Sequence, residues 1–385
     1  MKKSYAILGL ALALLVSLLA HSSPYAQQSG PTQGYQNMGS NPHYTDSREF
    51  TEDPYMGWNK GKTWREVMEE YQSAPMMEAV FETIVQTTTY EPSSLDTDAT
   101  GRAIAMERVK VLIVEDLIDR IAAEGEGAKN ISKKVYGRNA GISYELLPDR
   151  DALEAILPSL VLVEKTGEDR KNGVFTMRAE AKVAQAKIVP LIIAIMRNEN
   201  ARDEMIDIRR TASDAMGDIH RMQAKSSGSE KGESLRQAYE DAAQKLSVTD
   251  LLEKARYYSL NSELQPAVDA YTEALKTSPG LAFAYRNRGG IYLLMEKRGE
   301  AASDFVNAYT SDAISHAEAR KFDECVAASA AAIDLYSRHA PAYFQRAVCS
   351  VGLGRQDNAM SDFKMAARLG EKRAQALLNS KNIEW

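Results

Sequence analysis

Five histidines, His21, His43, His220, His316 and His339, and two cysteines, Cys325 and Cys349, are the side chains of this 385-residue sequence best suited to holding a metal or acting as a nucleophile. Their spacing suits neither task. A helical zinc site needs two histidines one turn apart, as in H-E-x-x-H, and a thiolate site needs C-x-x-C or a close variant. Both patterns are absent, as are the G-x-S-x-G elbow of serine hydrolases and a Gly-rich loop opening a helix after a strand. The acidic pairs Glu69/Glu70 and Glu115/Asp116 sit at adjacent helical positions, so their carboxylates point to different faces and read as solvated charges rather than as a general acid and base. In an oxidising compartment Cys325 and Cys349 would be able to pair; the reading preferred from sequence is two small, buried, unpaired side chains at packing positions. No cofactor or metal is expected.

The elements that must position these residues are marked by a recurrence of small and aromatic side chains over 251–378, with a period close to 34. Tyr285, Gly289, Tyr292, Ala301, Phe305 and Ala308 give the clearest unit. Gly289 and Ala301 let two antiparallel helices approach closely, and the aromatics fill the space beside the contact. The same spacing upstream gives Leu251, Ala255, Tyr258, Ala267, Tyr271, Ala274 and Pro279, and downstream Tyr343, Ala347, Ala359, Phe363 and Ala366, followed by Gly370 and a closing helix through Leu377 and Leu378. A damaged unit with Phe322, Cys325 and Ala332 lies between, at an interval of 24. It is expected to hold two shortened helices with a turn at 310–312 capped by Ser311 or Asp312; the alternative is one continuous helix over 300–320.

This pattern resembles the tetratricopeptide repeat (TPR). The resemblance implies a helical solenoid of about four repeats over 247–385, the third shortened, and a concave groove that binds a protein or peptide. Carried over position by position, the groove would be lined by Leu252, Arg256 and Leu260, by Phe283, Arg286, Leu293 and Leu294, and by Phe344, Val348 and Val351. The family's chaperone-tail clamp has Lys and Asn where this chain has Leu252 and Arg256, which argues against a carboxylate-terminated tail as ligand. Large apolar residues with two arginines suit an amphipathic or extended segment carrying an acidic group.

At the other end, Lys2 and Lys3 precede an apolar run over 6–20 and a polar stretch over 21–28, the layout of a secretory signal peptide occupying 1–26. The run is short for a membrane span and no cysteine lies near its end, so the expected mature form begins between Ser23 and Gln27, without an integral span or a lipid anchor, in the periplasm or secreted. A formal net charge of −6 with 26% charged residues disfavours nucleic acid and anionic membranes as partners. Residues 27–62, rich in Gln, Gly, Ser, Asn, Pro and Tyr, read as a disordered spacer, with Tyr55, Trp58 and Trp64 tacking it to the next domain.

Residues 63–183 read as a small α+β domain with N-terminal helices. Thr63 and Glu66 form a capping box before Trp64, Val67, Met68 and Tyr71; a helix over 76–86 and a loop over 87–100 follow. Ile104, Val111, Val114, Ile118 and Ile121 mark a further helix, then 125–141 reads as a polar loop, 149–157 as a helix ended by Pro158, 159–165 as a strand and 169–173 as a hairpin turn. Phe175, Met177, Ala179, Ala181 and Val183 alternate with polar residues, predicting a strand with one face on a helix and the other in water. This order resembles the small α+β module of bacterial envelope lipoproteins and flagellar accessory proteins, which implies a structural or adhesive part and no catalytic residues.

The connector, 184–246, is expected as one long helix over 184–224, a linker over 226–234 and a helix over 235–246, folded as an antiparallel hairpin. Ala201, Met205, Ile208, Ala212, Ala215, Ile219 and Met222 make a heptad seam, so a parallel homodimer through 201–222 is the alternative. The fold class is therefore mainly α, a C-terminal TPR solenoid preceded by a small α+β domain and a coiled-coil-like connector. The expected function is a non-catalytic periplasmic or secreted adaptor that binds a partner protein on the concave face. The alternatives are a self-assembling coiled-coil envelope protein, or an accessory part of an envelope hydrolase, which would need a catalytic constellation within 63–183.

Overall fold

In the computed structural model, residues 81–135, 148–226 and 232–385 are described. The expected signal peptide, spacer and 63–71 helix lie outside them. The described chain is mainly helical, with one three-stranded sheet, and divides into two compact units after Thr277.

The first unit is built on the antiparallel sheet β1 (Phe81–Tyr90), β3 (Val174–Ala184) and β2 (Val163–Lys171), in the order β1-β3-β2. Strand β1 replaces the helix expected over 76–86 as far as that stretch is described. Its sequence, FETIVQTTTY, is dense in β-branched residues, which lose rotamer freedom in a helix and pack well on a pleated face. Strand β3 keeps the expected alternation: Phe175, Met177, Ala179, Ala181 and Val183 are all buried. Asn172 and Gly173, both at positive φ, make the tight turn into it, so β2 runs through the expected 169–173 turn almost to its end. The expected strand over 159–165 is displaced because Pro158 sits in a 3-10 turn, Leu157–Ser159, and Leu160 and Val161 cover the core before Val163 begins to pair.

Helix α1 (Asp98–Val135) covers the sheet. At its start Thr97 and Thr100 satisfy each other, Thr97 N–H donating to Thr100 Oγ1 at 2.8 Å and Thr100 N–H to Thr97 Oγ1 at 3.2 Å. Gly101 is required where the helix crosses β3, since a Cβ there would stand 2.7 Å from the Phe175 ring. The helix continues into the expected 125–141 loop as far as Val135. Two glycines at roughly 1 kcal/mol each do not end a helix whose neighbouring residues include the helix formers Glu124, Glu126, Ala128, Lys129, Lys133 and Lys134. Helix α2 (Arg150–Ile156) follows, with Asp149 accepting from Ala152 N–H at 3.0 Å as its cap.

Beyond the sheet come α3 (Gln185–Arg197), α4 (Glu199–Ser226), α5 (Glu233–Leu260) and α6 (Leu264–Thr277). The long helix expected over 184–224 is broken at Asn198, because the Asn198 side chain accepts from Ala201 N–H at 3.0 Å and starts a new helix. The helix expected over 235–246 continues unbroken to Leu260, so the first repeat shares a helix with the connector. The α4–α5 hairpin is antiparallel: Gln223 bonds Tyr239 at one end and Glu204 pairs with Arg256 at the other. All seven residues of the heptad seam are buried within this one chain. The seam is filled by intramolecular packing and is not free to build a homodimer through 201–222.

The second unit is a row of helices, α7 (Ala282–Leu294), α8 (Arg298–Glu318), α9 (Phe322–Leu335), α10 (Ala340–Gly352), α11 (Gln356–Arg368) and α12 (Lys372–Ser380), each packed on the next. A Cβ at Gly289 would stand 3.2 Å from the Phe305 ring, so the small residue does set the α7–α8 approach. Ala301 and Ala359 are each 1% exposed. The turn expected at 310–312 does not form, because α8 is a single 21-residue helix to which Ser311 contributes a buried side chain. That helix closes the α7 hairpin with its first half and meets α9 and α10 with its second. One helix thus does the work of two, which accounts for the interval of 24. Cys325 on α9 and Cys349 on α10 form a disulfide, against the expectation of unpaired thiols, since the two helices bring their Cα atoms to 6.2 Å.

Candidate functional site

Of the ten side chains expected to line one groove, five are buried. Leu252, Arg256 and Leu260 are buried in the first unit on α5, at 4%, 1% and 1% exposure. Arg256 is an ion-pair partner of Glu204 under helix α4, which covers the helix face that a groove would need. Phe344 and Val351 are also core residues: the Phe344 ring packs edge-on to Phe363 with centroids 5.6 Å apart, and the Arg373 guanidinium of α12 caps it at 4.2 Å. Val348 is half-buried in the same cluster.

What stays accessible is a stripe on α7. Phe283, Arg286 and Leu293 are half-buried and Leu294 is 49% exposed. Their offsets of three, ten and eleven from Phe283 put them on one side of the helix. Gly290 lies within the stripe, and a Cβ there would meet nothing within 4 Å. Arg286 donates to Asp312 of α8. Both arginines credited with attracting an acidic ligand are thus engaged by carboxylates of this chain, and an acidic group is no longer favoured in the bound segment. Because α8 replaces two helices, every helix of the row reverses direction once, and α10 runs antiparallel to α7 where a regular array would make them parallel. The contacts Arg288–Asp304, Cys325–Cys349 and the short α8–α9 turn fix those directions. The α7 and α10 faces therefore do not continue one another.

The first unit carries a buried charge cluster that periodicity did not disclose. Lys110 on α1 reaches Glu253 at 2.5 Å and Asp250 at 2.9 Å on α5, and Glu107 at 3.5 Å on its own helix. Arg209 of α4 joins Glu107. Burial works against the Lys110 charge, but Asp250, Glu253 and Glu107 outweigh it and hold the ammonium far above its ordinary range. Burial likewise raises Glu253, and it would raise Glu107 and Asp250 were these not held below the usual carboxylate range by Lys110 with Arg209 or Lys254. A signal was present: Glu107 and Lys110 fall on the apolar stripe of α1, between Ile104 and Val114, where a solvated charge would be misplaced.

A second polar knot joins the sheet to the hairpin. Asp96 accepts from the Tyr90 hydroxyl at 2.6 Å and from Tyr239 at 2.8 Å, and Gln223 donates to both hydroxyls at 2.7 and 2.9 Å. Burial and the Asp96 carboxylate push both phenols up, so neither ionises near neutrality. These groups satisfy one another and leave no nucleophile facing a cleft. Among the described residues no cluster of His, Cys, Asp and Glu is arranged to hold a metal ion, and no helix is long and apolar enough to cross a membrane. No family model matches the chain, and no curated protein matches it either.

Proposed function

We propose that the chain is a non-catalytic adaptor of tetratricopeptide type, exported to the periplasm or secreted, that binds a segment of a partner protein through its C-terminal helical hairpins. The observation that carries the reading is a repeated contact set. Hairpin α7–α8 pairs Arg288 with Asp304 beside Tyr285 and Phe305; hairpin α10–α11 pairs Arg346 with Asp362 beside Tyr343 and Phe363, each residue 58 positions on. A unit repeated with its clamp and its aromatic filling is a stacking module, and stacked modules expose helix faces as binding surfaces. The disulfide supports an oxidising compartment, in agreement with the basic and apolar start of the sequence.

The binding surface is the α7 stripe of Phe283, Arg286, Leu293 and Leu294, and its ligand is an apolar helix or extended segment. Capture from envelope extracts with the mature protein and with Leu293→Asp/Leu294→Asp tests this. The expected result is a loss of at least tenfold in partner recovery with thermal unfolding nearly unchanged, since exposed side chains contribute little to the core. Equal recovery by both proteins removes the α7 stripe as the site.

A further inference from the structure

The two edges of the three-stranded sheet are finished differently. On one edge, β2 carries Glu164, Lys165, Glu168, Asp169, Arg170 and Lys171, and its pairing with β3 slips between Lys165 and Gly167. Charged side chains and an irregular register keep an edge strand from pairing with another chain. The other edge, β1, has neither. Its ten residues pair with β3 without a slip, contain no proline, and include a single charge, Glu82, which is engaged by Arg120. Among the described residues no strand lies on its free side. Helix α1 lies beneath it: Ile84 and Tyr90 are buried and Gln86 donates to Asp116 of α1 at 3.0 Å. Thr83, Val85, Thr87 and Thr89 therefore point to the opposite face, where all four are exposed, Val85 by 39%. A long, regular and nearly uncharged edge strand presents a row of backbone N–H and C=O groups for a further strand to pair.

We propose that the free edge of β1 pairs antiparallel with β1 of a second copy of the chain, joining the two sheets into one. The strand is complementary to itself in this arrangement. With Gln86 on the two-fold axis, Thr83 stands opposite Thr89, Val85 opposite Thr87 and Ile84 opposite Thr88, all pairs of β-branched residues that pack well across neighbouring strands. Glu82 stands opposite Tyr90, so the two Glu82 carboxylates fall at opposite ends of the ladder, whereas a register centred on Glu82 would set them against each other. This register holds whichever residues turn their N–H groups outward, because an antiparallel two-fold axis passes through a hydrogen-bonded or a non-hydrogen-bonded pair equally well. The absence of any opposed like charges in the ladder favours a second copy over an unrelated extended segment, which would have to match the same row of threonines by chance.

Sedimentation equilibrium of the mature protein over micromolar concentrations should show a dimer. Val85→Lys/Thr87→Lys sets lysine opposite lysine at both crossing pairs and should weaken the dimer at least tenfold. Val85→Lys/Thr87→Glu sets opposite charges in the same two places and should restore it. Within one chain Val85 and Thr87 stand beside Glu180 and Arg178 of β3, so thermal unfolding of each variant measures separately what the new charges do to the fold. Leu293→Asp/Leu294→Asp on α7 should leave the dimer unchanged, which keeps this test apart from that of the α7 stripe. A dimer that withstands the double lysine variant, or one lost equally in both charge variants, overturns the proposal. A parent that stays monomeric overturns it as well, whether its β1 edge is open or is taken by a segment of the same chain or of another protein.

Discussion

Arg288 grips Asp304 across the α7–α8 hairpin with two hydrogen bonds, from Nε at 2.8 Å and from Nη2 at 2.7 Å. The guanidinium lies beside the rings of Tyr285 and Tyr292 at 5.6 and 5.8 Å. Arg346 and Asp362 repeat the grip at 2.7 and 2.8 Å in the α10–α11 hairpin, with Tyr343 at 5.5 Å. A bidentate pair of this kind fixes both the separation and the rotation of two helices, which small residues alone do not. The two copies differ in burial: Asp304 is 4% exposed at its side chain against 10% for Asp362, and Arg288 14% against 28% for Arg346.

That difference predicts unequal costs for the same truncation. Asp304→Ala leaves a guanidinium largely cut off from water and should lose about 3–5 kcal/mol, near the range for breaking a buried pair. Asp362→Ala leaves one that water reaches more easily and should lose roughly half as much. Urea midpoints of the two variants, read by a probe in the second unit, give the order; equal losses would mean that burial does not set the strength of the clamp.

Ala301→Leu and Ala359→Leu test the helix approach. Each alanine is 1% exposed in its hairpin, so added methylenes have nowhere to go and should cost roughly 1–3 kcal/mol. An unchanged urea midpoint for both would show that these positions do not face the partner helix.

These positions were legible because small residues at fixed spacing record a helix contact directly. Gly289, Ala301, Tyr285 and Phe305 announced the α7–α8 hairpin, and Phe175 to Val183 announced β3. What period could not announce was partnership. The positions of Leu252 and Leu260 line an open groove in a regular array, whereas here both are buried and α4 pairs Glu204 with Arg256 between them. The fusion of two helices into α8 hid in an interval of 24 that suits a turn as well as a continuous helix. Strand β1 hides from a periodicity argument because Ile84 and Val85 also suit a helical stripe; the three consecutive threonines after them are the stronger signal. Charge pairing across distant segments, as in Lys110 with Glu253, leaves no local trace beyond a charge standing on an apolar stripe.

Lys110→Met tests whether that cluster is a compensated unit. Removing the ammonium leaves Glu107, Asp250 and Glu253 with too few cations, and the variant should lose about 3–5 kcal/mol at neutral pH. Lys110→Met/Glu253→Gln removes one charge of each sign and should recover a large part of the loss. Chemical denaturation of the single and double variants decides it: equal stability of the two would mean that Glu253 is not coupled to Lys110.

The disulfide ties α9 to α10 where the shortened repeat lacks a helix of its own. It closes a separation of 24 residues in the unfolded chain, for which the entropic estimate is about 3 kcal/mol. Cys325→Ala/Cys349→Ala keeps the buried site apolar and should lower stability by about that amount, with the α9–α10 hairpin the first part to exchange its amide protons. Uniform protection across the second unit in the double variant would show that the bond adds nothing local.

His339 makes the second unit sensitive to mild acid. It precedes α10, lies 3% exposed, and its Nε2 is 3.1 Å from the Thr310 hydroxyl of α8. Burial lowers its pKa from 6.5 to about 4, against a smaller opposing pull from the Glu371 carboxylate. The folded state therefore resists a proton that the unfolded chain accepts. Between pH 6.5 and about 4 the unfolded state binds more protons, so stability is full above pH 6.5, declines as the pH falls toward 4, and levels off below. The whole decline is on the order of 3 kcal/mol. His339→Asn keeps a polar side chain of a type that suits the position before a helix, but it does not titrate. Carboxylates shared by both proteins cancel in the difference between parent and variant, so that difference isolates the imidazole. Urea midpoints at pH 7 and pH 4.5, with the disulfide intact, should fall more for the parent than for His339→Asn. If the two fall in parallel, His339 takes up its proton without unfolding the helices around it.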